Sequence, residues 1–346
     1  MLELYNISKN YGDFSLRDIN LEISDGEYFV LLGRSGAGKS QLLEIIAGLR
    51  SPDSGRIILK GKDITEEKIQ NRKTGMVFQD FAIFPHLTVY GNIAYSLKIK
   101  RLQRKKIQAL VRKMAENVNI EHLLNRRTDE LSGGERQRVA VARTLVTSPD
   151  IILLDEPMAS IDTPLRDDIR RLLRKINSMG ITMLHVTHDY SEAIRLAHRV
   201  GVIHNGRIMQ TGTPDNVFSR PANKFVARFA GIRNFYSVKI SGTKGRKIAE
   251  SDKLKYSLPD GDYPENGLLI LKSDSINLSG EKQKDSDNCI KGTVTELNRA
   301  ENGHEIFVDA GDIFHVLVNN NGFEQLSIIP GQTVFLSFSS KELKVI

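Results

Sequence analysis

Gly33-Arg34-Ser35-Gly36-Ala37-Gly38-Lys39-Ser40 follows the apolar run Tyr28-Phe29-Val30-Leu31-Leu32 and precedes Gln41-Leu42-Leu43-Glu44-Ile45-Ile46. The first run reads as a buried strand and the last as a helix. Strand, glycine loop, helix is the context in which this pattern forms a phosphate-binding loop. The glycines let the backbone wrap a polyphosphate with several N–H groups turned inward. The helix start adds partial positive charge at the same point. Lys39 is placed to reach the outer phosphates, and the Ser40 hydroxyl to ligate Mg²⁺. The stretch therefore predicts an α/β P-loop NTPase fold.

Working outward, the first 215 or so residues alternate strand-like runs with helical patterns. A predicted helix over 136–146 leads to the apolar strand Ile151-Ile152-Leu153-Leu154, and another over 163–179 leads to Thr182-Met183-Leu184-His185-Val186. Apolar strands without alternation, separated by helices, argue for a parallel sheet covered on both faces. Residues 86–130 are mostly helical and break the alternation, so an inserted helical subdomain is expected over about 80–135. From about residue 235 the helical periodicity fades. Short alternating runs such as Glu305-Ile306-Phe307-Val308 and Phe314-His315-Val316-Leu317-Val318 lie between turn signals at Asn302-Gly303, Ala310-Gly311, Asn321-Gly322 and Pro330-Gly331. They predict a small all-β, barrel-like domain over 236–346, with 281–287 as an exposed loop.

At 346 residues the chain has room for two domains. No apolar run nears the roughly 20 residues a membrane-spanning helix needs. The start, Met1-Leu2-Glu3-Leu4-Tyr5, lacks the basic head and apolar core of a signal peptide. A single cysteine, Cys289, excludes an internal disulfide and fits a reducing cytoplasm. The net charge of +7 is uneven, for residues 239–346 carry 13 Lys/Arg against 16 Asp/Glu and the rest 36 against 26. Much of the excess sits in Lys98-Ile99-Lys100-Arg101-Leu102-Gln103-Arg104-Lys105-Lys106. With no aromatics interleaved, that run reads as a solvated surface, or one facing anionic lipid, and no nucleic-acid partner is expected.

Two further motifs turn a phosphate loop into a catalytic reading. Ile151-Ile152-Leu153-Leu154-Asp155-Glu156 ends an apolar strand in Asp155, which places a carboxylate beside Mg²⁺ held by Ser40. Glu156, one step on, is positioned to polarise an attacking water. In Leu131-Ser132-Gly133-Gly134-Glu135-Arg136-Gln137, Ser132 and Glu135 have capping-box spacing. A cap does not need two glycines, however. They bare backbone N–H groups at a helix start and suggest a second anion site, shared between two chains.

Loop, Leu131-Ser132-Gly133-Gly134-Glu135 and Leu153-Leu154-Asp155-Glu156-Pro157 stand in the order that resembles the nucleotide-binding subunit of an ATP-binding cassette (ABC) transporter, over roughly residues 1–235. The resemblance implies an ATPase with Mg²⁺ as cofactor. It implies that Tyr11 stacks on adenine, and that Gly33, Arg34, Ser35, Gly36, Ala37, Gly38, Lys39, Ser40 and Gln41 surround the phosphates. It further implies that Gln79 contacts Mg²⁺ and the attacking water, with Ser40 and Asp155 as the other metal residues. His188 would touch the γ-phosphate and Asp162 would pack across a dimer interface. His185 reads as structural. Two subunits are expected to pair head to tail, with Ser132, Gly133, Gly134 and Glu135 of one completing the ATP site of the other. Gln41 replaces a usual Ser/Thr, and Met158-Ala159-Ser160-Ile161-Asp162 shuffles the usual small residues. Neither change removes a catalytic group.

Lacking a membrane span, the chain is expected to act with separate transmembrane permease subunits, and indirectly with a solute-binding protein, at the cytoplasmic face of the membrane. Phe84-Pro85-His86-Leu87-Thr88-Val89-Tyr90-Gly91-Asn92 resembles the importer segment that grips a permease helix. The C-terminal region resembles importers with an oligonucleotide/oligosaccharide-type (TOBE-like) β-domain, often regulatory. Lys272-Ser273-Asp274-Ser275 departs from the sugar-type pattern, and the stretch from Leu326 to Val334 resembles the molybdate/tungstate group. Ferric iron, sulfate, sugar and polyamine importers stay open, as does a non-transport cassette ATPase. The latter usually carries a second cassette, a coiled coil or a zinc insertion, none of which is visible here.

Overall fold

The computed structural model describes every residue except Ser160, Lys244, Gly245, Lys284, Asp285, Glu301 and Asn302, and Arg246 by its backbone only. Part of the shuffled stretch before Asp162, the middle of the loop expected at 281–287 and the turn residue Asn302 thus lie outside the described residues. The chain divides into two compact units, Met1–Val217 and Phe218–Ile346.

In the first unit β1 (Leu2–Asn10), β2 (Ser15–Ile23) and β3 (Tyr28–Leu32) precede α1 (Lys39–Ala47). Then come β4 (Ser54–Leu59), β5 (Lys62–Asp63), β6 (Thr74–Val77), α2 (Val89–Ile99), α3 (Arg104–Asn117) and α4 (Gly133–Leu145). The unit continues with β7 (Ile151–Asp155), α5 (Thr163–Ser178), β8 (Thr182–Thr187), α6 (Tyr190–Leu196), β9 (Arg199–His204) and β10 (Arg207–Gly212). Six strands form one sheet in the order β10-β9-β3-β8-β7-β6. All neighbours in it are parallel except the β10–β9 pair. Every residue of β3, β7 and β8 is buried. That explains why these strands read as unbroken apolar runs. α2 and α3 are inserted between β6 and α4, and they bury the i, i+4 stripes Ile93–Leu97 and Ile107–Val111–Ala115.

A second sheet of this unit, antiparallel in the order β2-β1-β4-β5, was not foreseen. Its signal is real but shifted. Leu16, Ile19, Leu21 and Ile23 all point into the core, while Asp18 sits at φ 51. Irregular pairing against β1 moves the alternation by one residue there. This sheet and α1 close one apolar core over β3, β7 and β8.

The second unit consists chiefly of β11 (Asn234–Thr243), β12 (Arg246–Glu250), β13 (Lys255–Leu258), β14 (Asn266–Leu271), β15 (Asn277–Ser279), β16 (Asn288–Ala300), β17 (Gly303–Asp309), β18 (Ile313–Val318), β19 (Thr333–Phe338) and β20 (Lys344–Val345). They form two antiparallel sheets, β13-β12-β11-β14-β20 and β15-β19-β16-β17-β18. Both contribute to one core, which includes Tyr256, Phe314 and Phe338. This is the curled all-β architecture expected. The signal at Asn321-Gly322 is not a hairpin turn but the first turn of a helix, Asn320–Leu326. Asn319 caps it by accepting from the Gly322 N–H at 2.8 Å.

Candidate functional site

Four neighbouring strands deliver the chemistry to one edge of the parallel sheet. β3 runs into the loop 33–38, β7 into Glu156, β8 into His188, and β6 ends two residues before Gln79. The register sets Leu32 beside Thr187 and Asp155 beside Val186, so these ends are level. The carboxyl ends of parallel strands are where open α/β sheets place their ligands.

The loop's glycines serve different purposes. Gly38 lies at φ 103, and a Cβ there would stand 2.6 Å from Leu16 Cδ2 and 2.7 Å from Phe14 Cζ. Gly33 has no such angle, but its Cβ would meet the Ile203 carbonyl oxygen at 2.8 Å. Arg34, Ser35 and Gly36 are exposed at the tip, Ala37 and Lys39 are buried, and Ser40 and Gln41 are half-buried at the start of α1. Lys39 Nζ donates to the carbonyls of Gly33 (2.9 Å) and Arg34 (3.3 Å) and lies 3.4 Å from Glu156 Oε1.

Ser40 Oγ donates to Asp155 Oδ1 at 2.9 Å. Burial pushes the Asp155 carboxyl pKa up, and the Ser40 hydrogen bond only partly opposes it. Glu156 sits at φ 43, with its N–H bonded to the Val186 carbonyl (3.0 Å). The second oxygen, Oε2, is 2.9 Å from Nδ1 of the exposed His188. The carboxylate is thus held between an ammonium and an imidazole. A hydroxyl and a buried carboxylate side by side are hard oxygen donors that fit Mg²⁺, which keeps most of its shell for water and phosphate.

The remaining expected residues lie in three settings. Ser132 caps α4 in a full capping box, accepting from the Glu135 N–H (3.3 Å) while its own N–H reaches Glu135 Oε2 (2.8 Å). Those bonds hold the Glu135 carboxyl below its usual pKa. Gly134 has room for a side chain, since a Cβ would meet only Leu165 Cδ1 at 3.7 Å. Asp162 flanks α5, exposed, with no capping bond from its side chain. Gln79 is exposed and makes no hydrogen bond to Asp155 or Glu156. Tyr11 is half-buried, with the Arg50 guanidinium 5.7 Å over its ring and its hydroxyl buried without a partner. His185 is fully buried, 3.0 Å from the Tyr28 hydroxyl. It stands 3.2 Å from Glu192, off hydrogen-bond geometry, so the contact is an ion-pair distance rather than a directed bond.

One residue escaped the sequence reading. Beyond Gln79 the chain turns through Phe81 (φ 66) and Ala82 (φ 45), two successive left-handed residues that carry side chains. Each such conformation costs roughly 1–2 kcal/mol. The Arg143 guanidinium, from α4, donates to both of their carbonyls. Arg143 looked like any other cation on a helix, and nothing in Phe81-Ala82 announces a left-handed pair.

The geometry has counterparts among known proteins. Residues 16–159 match the model of the ABC transporter family. The molybdate/tungstate import ATP-binding protein of Pyrococcus abyssi is 40% identical over 351 residues, covering all of both chains. The spermidine/putrescine import ATP-binding protein of Spiroplasma citri is 45% identical over 239 residues, 68% of each chain. Among solved structures, the dimeric structure of a bacterial ABC transporter cassette aligns at TM-score 0.56 and 31% identity, covering 62% of this chain and 99% of that one.

Proposed function

The chain belongs to the family of ABC transporter ATP-binding proteins, and from that premise we propose that two copies pair head to tail and hydrolyse ATP at two shared sites to power uptake of a molybdate- or tungstate-type oxyanion. The observation that carries the reading is Glu156, held between Lys39 and His188 at the strand edge that also bears Ser40 and Asp155. As the ATP-hydrolysing subunit of an importer it acts with separate membrane subunits, peripherally, at the cytoplasmic face. Among the described residues no helix is long and apolar enough to cross a membrane. Full-length similarity to the Pyrococcus abyssi protein supports the oxyanion, and the Spiroplasma relative keeps a polyamine as the second reading.

The residues divide the work as follows. Phosphate oxygens compete with Glu156 for Lys39, so triphosphate binding draws the ammonium to the outer phosphates and frees one carboxylate oxygen. Glu156 then accepts the proton of the attacking water, and His188 holds the other oxygen and faces the γ-phosphate. Ser40 and Asp155 would hold Mg²⁺, which when bound neutralises phosphate charge. Gln79 orients the water from the neighbouring strand end. Gly133 and Gly134 of the partner offer bare backbone N–H groups, and Ser132 its hydroxyl, to the same phosphate. The capping box fixes that helix start, and the open space at Gly134 is not needed by its own chain.

One experiment tests both levels. In the transporter reconstituted with its membrane subunits, hydrolysis is expected to rise with a molybdate-loaded binding protein and not with a spermidine-loaded one. Glu156→Gln should lower the rate by on the order of 10²-fold or more, since it removes the base. Near-normal turnover in that variant removes Glu156 from the mechanism, and stimulation by spermidine alone reverses the solute.

A further inference from the structure

The segment 78–84 links two places that matter to the proposed reaction, Gln79 at the nucleotide edge and Phe84 in the segment expected to face the membrane subunits. It is not held by regular structure. Its start is pinned by the Phe81 N–H on the Phe78 carbonyl (3.0 Å). Its end is pinned by the buried amide of Asn92, which accepts from the Phe84 N–H (2.8 Å) and donates to the Phe84 and Thr88 carbonyls (both 3.1 Å). Between these pins lie the two left-handed residues, Phe81 and Ala82. Left-handed backbone with side chains persists only where surroundings over-determine it.

The over-determining group is Arg143. Its Nη1 donates to the Ala82 carbonyl at 2.6 Å and its Nη2 to the Phe81 carbonyl at 3.1 Å. The same guanidinium lies 5.3 Å from the Phe84 ring, which packs on Tyr95 at 4.4 Å. Only a planar, two-pronged donor satisfies two adjacent carbonyls and an aromatic face together, which a point-charge ammonium cannot do. Burial lowers the Arg143 pKa, a cost the fork must offset. The Asp80 carboxylate, in the same loop, partly offsets that cost by its charge, and the directed bonds of Arg143 go to backbone carbonyls. Arg143 stands near the end of α4, the helix whose other end carries Ser132 and Gly134.

We propose that Arg143 is a positioning residue. Its guanidinium latches the loop 78–84 onto α4, so that Gln79, Phe84 and the Ser132–Gly134 helix start move as one body. This rests on the nucleotide-site reading of Gln79 above. The latch explains why a strained loop is kept where a relaxed one would close the same gap. It also predicts that nucleotide contacts survive its loss while the placement of Gln79 does not.

Hydrogen exchange and steady-state hydrolysis on the full chain test this with Arg143→Lys, which keeps the cation, and Arg143→Met, which keeps the aliphatic stem. Amides of 78–84 should exchange at least tenfold faster in both variants, while those of β7 and α4 stay within about twofold. For hydrolysis, kcat should fall by roughly tenfold with KM for ATP within about twofold, because the loop around Lys39 is untouched. A merely structural role would loosen α4 as well and move KM with kcat. Unchanged exchange in 78–84, or a loosened loop with unchanged kcat, overturns the proposal. If Glu156→Gln run alongside hydrolyses normally, the site reading has failed instead. The exchange result then judges the latch alone.

Discussion

Asp155, assigned to Mg²⁺ in the proposed reaction, carries a stability cost of its own. It is buried, and its pKa is raised, so the folded state resists its ionisation. Below the unfolded value, about 3.9, both states are protonated and nothing is lost. As pH rises past that value the unfolded chain releases the proton first, and stability falls until the folded group has ionised too. The penalty is therefore present on the neutral side of the unfolded value and absent on the acid side. Asp155→Asn keeps an acceptor for the Ser40 hydroxyl and removes the buried charge, so it is expected to raise stability at pH 7 by on the order of 1 kcal/mol, with no gain at pH 3. Urea unfolding at the two pH values checks this, and Mg²⁺-supported hydrolysis should be lost at the same time. The positions of Asp155 and Glu156 were legible because a strand's apolar run fixes where it ends, and its last residues face the sheet edge, whereas His188 was singled out by the family resemblance alone. The surroundings of Tyr11 were not legible, since the Arg50 contact comes from the segment that follows α1 and no local pattern reports it.

At the scale of elements, α4 separates two explanations of Ser132-Gly133-Gly134-Glu135. Its capping box accounts for Ser132 and Glu135 within one chain, and substituting the cap typically costs about 1 kcal/mol. Gly134 is different, because its own chain leaves space for a methyl group. Gly134→Ala is therefore expected to leave stability unchanged or raise it by roughly 0.5–1 kcal/mol, as Gly→Ala does inside helices. Hydrolysis should fall at least tenfold, because in the proposed head-to-tail pair the partner's nucleotide lies against this bare backbone. Thermal unfolding beside an ATPase assay makes the comparison, and full activity in Gly134→Ala would leave the glycine unexplained. Helix and strand identities near the loop followed from periodicity, with boundaries displaced by at most three residues. The antiparallel sheet β2-β1-β4-β5 was hidden by its irregular register, and the helix 320–326 by a turn signal that was in fact a cap.

At the scale of the whole molecule, the two units differ as their sequences suggested, one wound around a parallel sheet and one made of antiparallel strands around its own core. The charge balance fits this division, with the cationic excess outside residues 239–346. In the proposed importer, the choice of solute lies largely outside this chain, with the proteins that would bind it and conduct it. In the proposed pair the chain supplies half of a nucleotide site twice over, with Lys39, Asp155 and Glu156 on one edge and Ser132 with Gly134 on the start of α4. Neither set hydrogen-bonds to the other within the chain. The claim that two copies complete each other is tested most directly by disulfide trapping. Chains with Cys289→Ser and Glu156→Gln are prepared in two forms, one carrying Ser35→Cys and the other Ser132→Cys, and mixed under mild oxidation. A disulfide between the two forms can arise only across chains. The account predicts a species of twice the 38.8 kDa chain mass with ATP and Mg²⁺ and little without nucleotide. Chains that stay monomeric in ATP would contradict it.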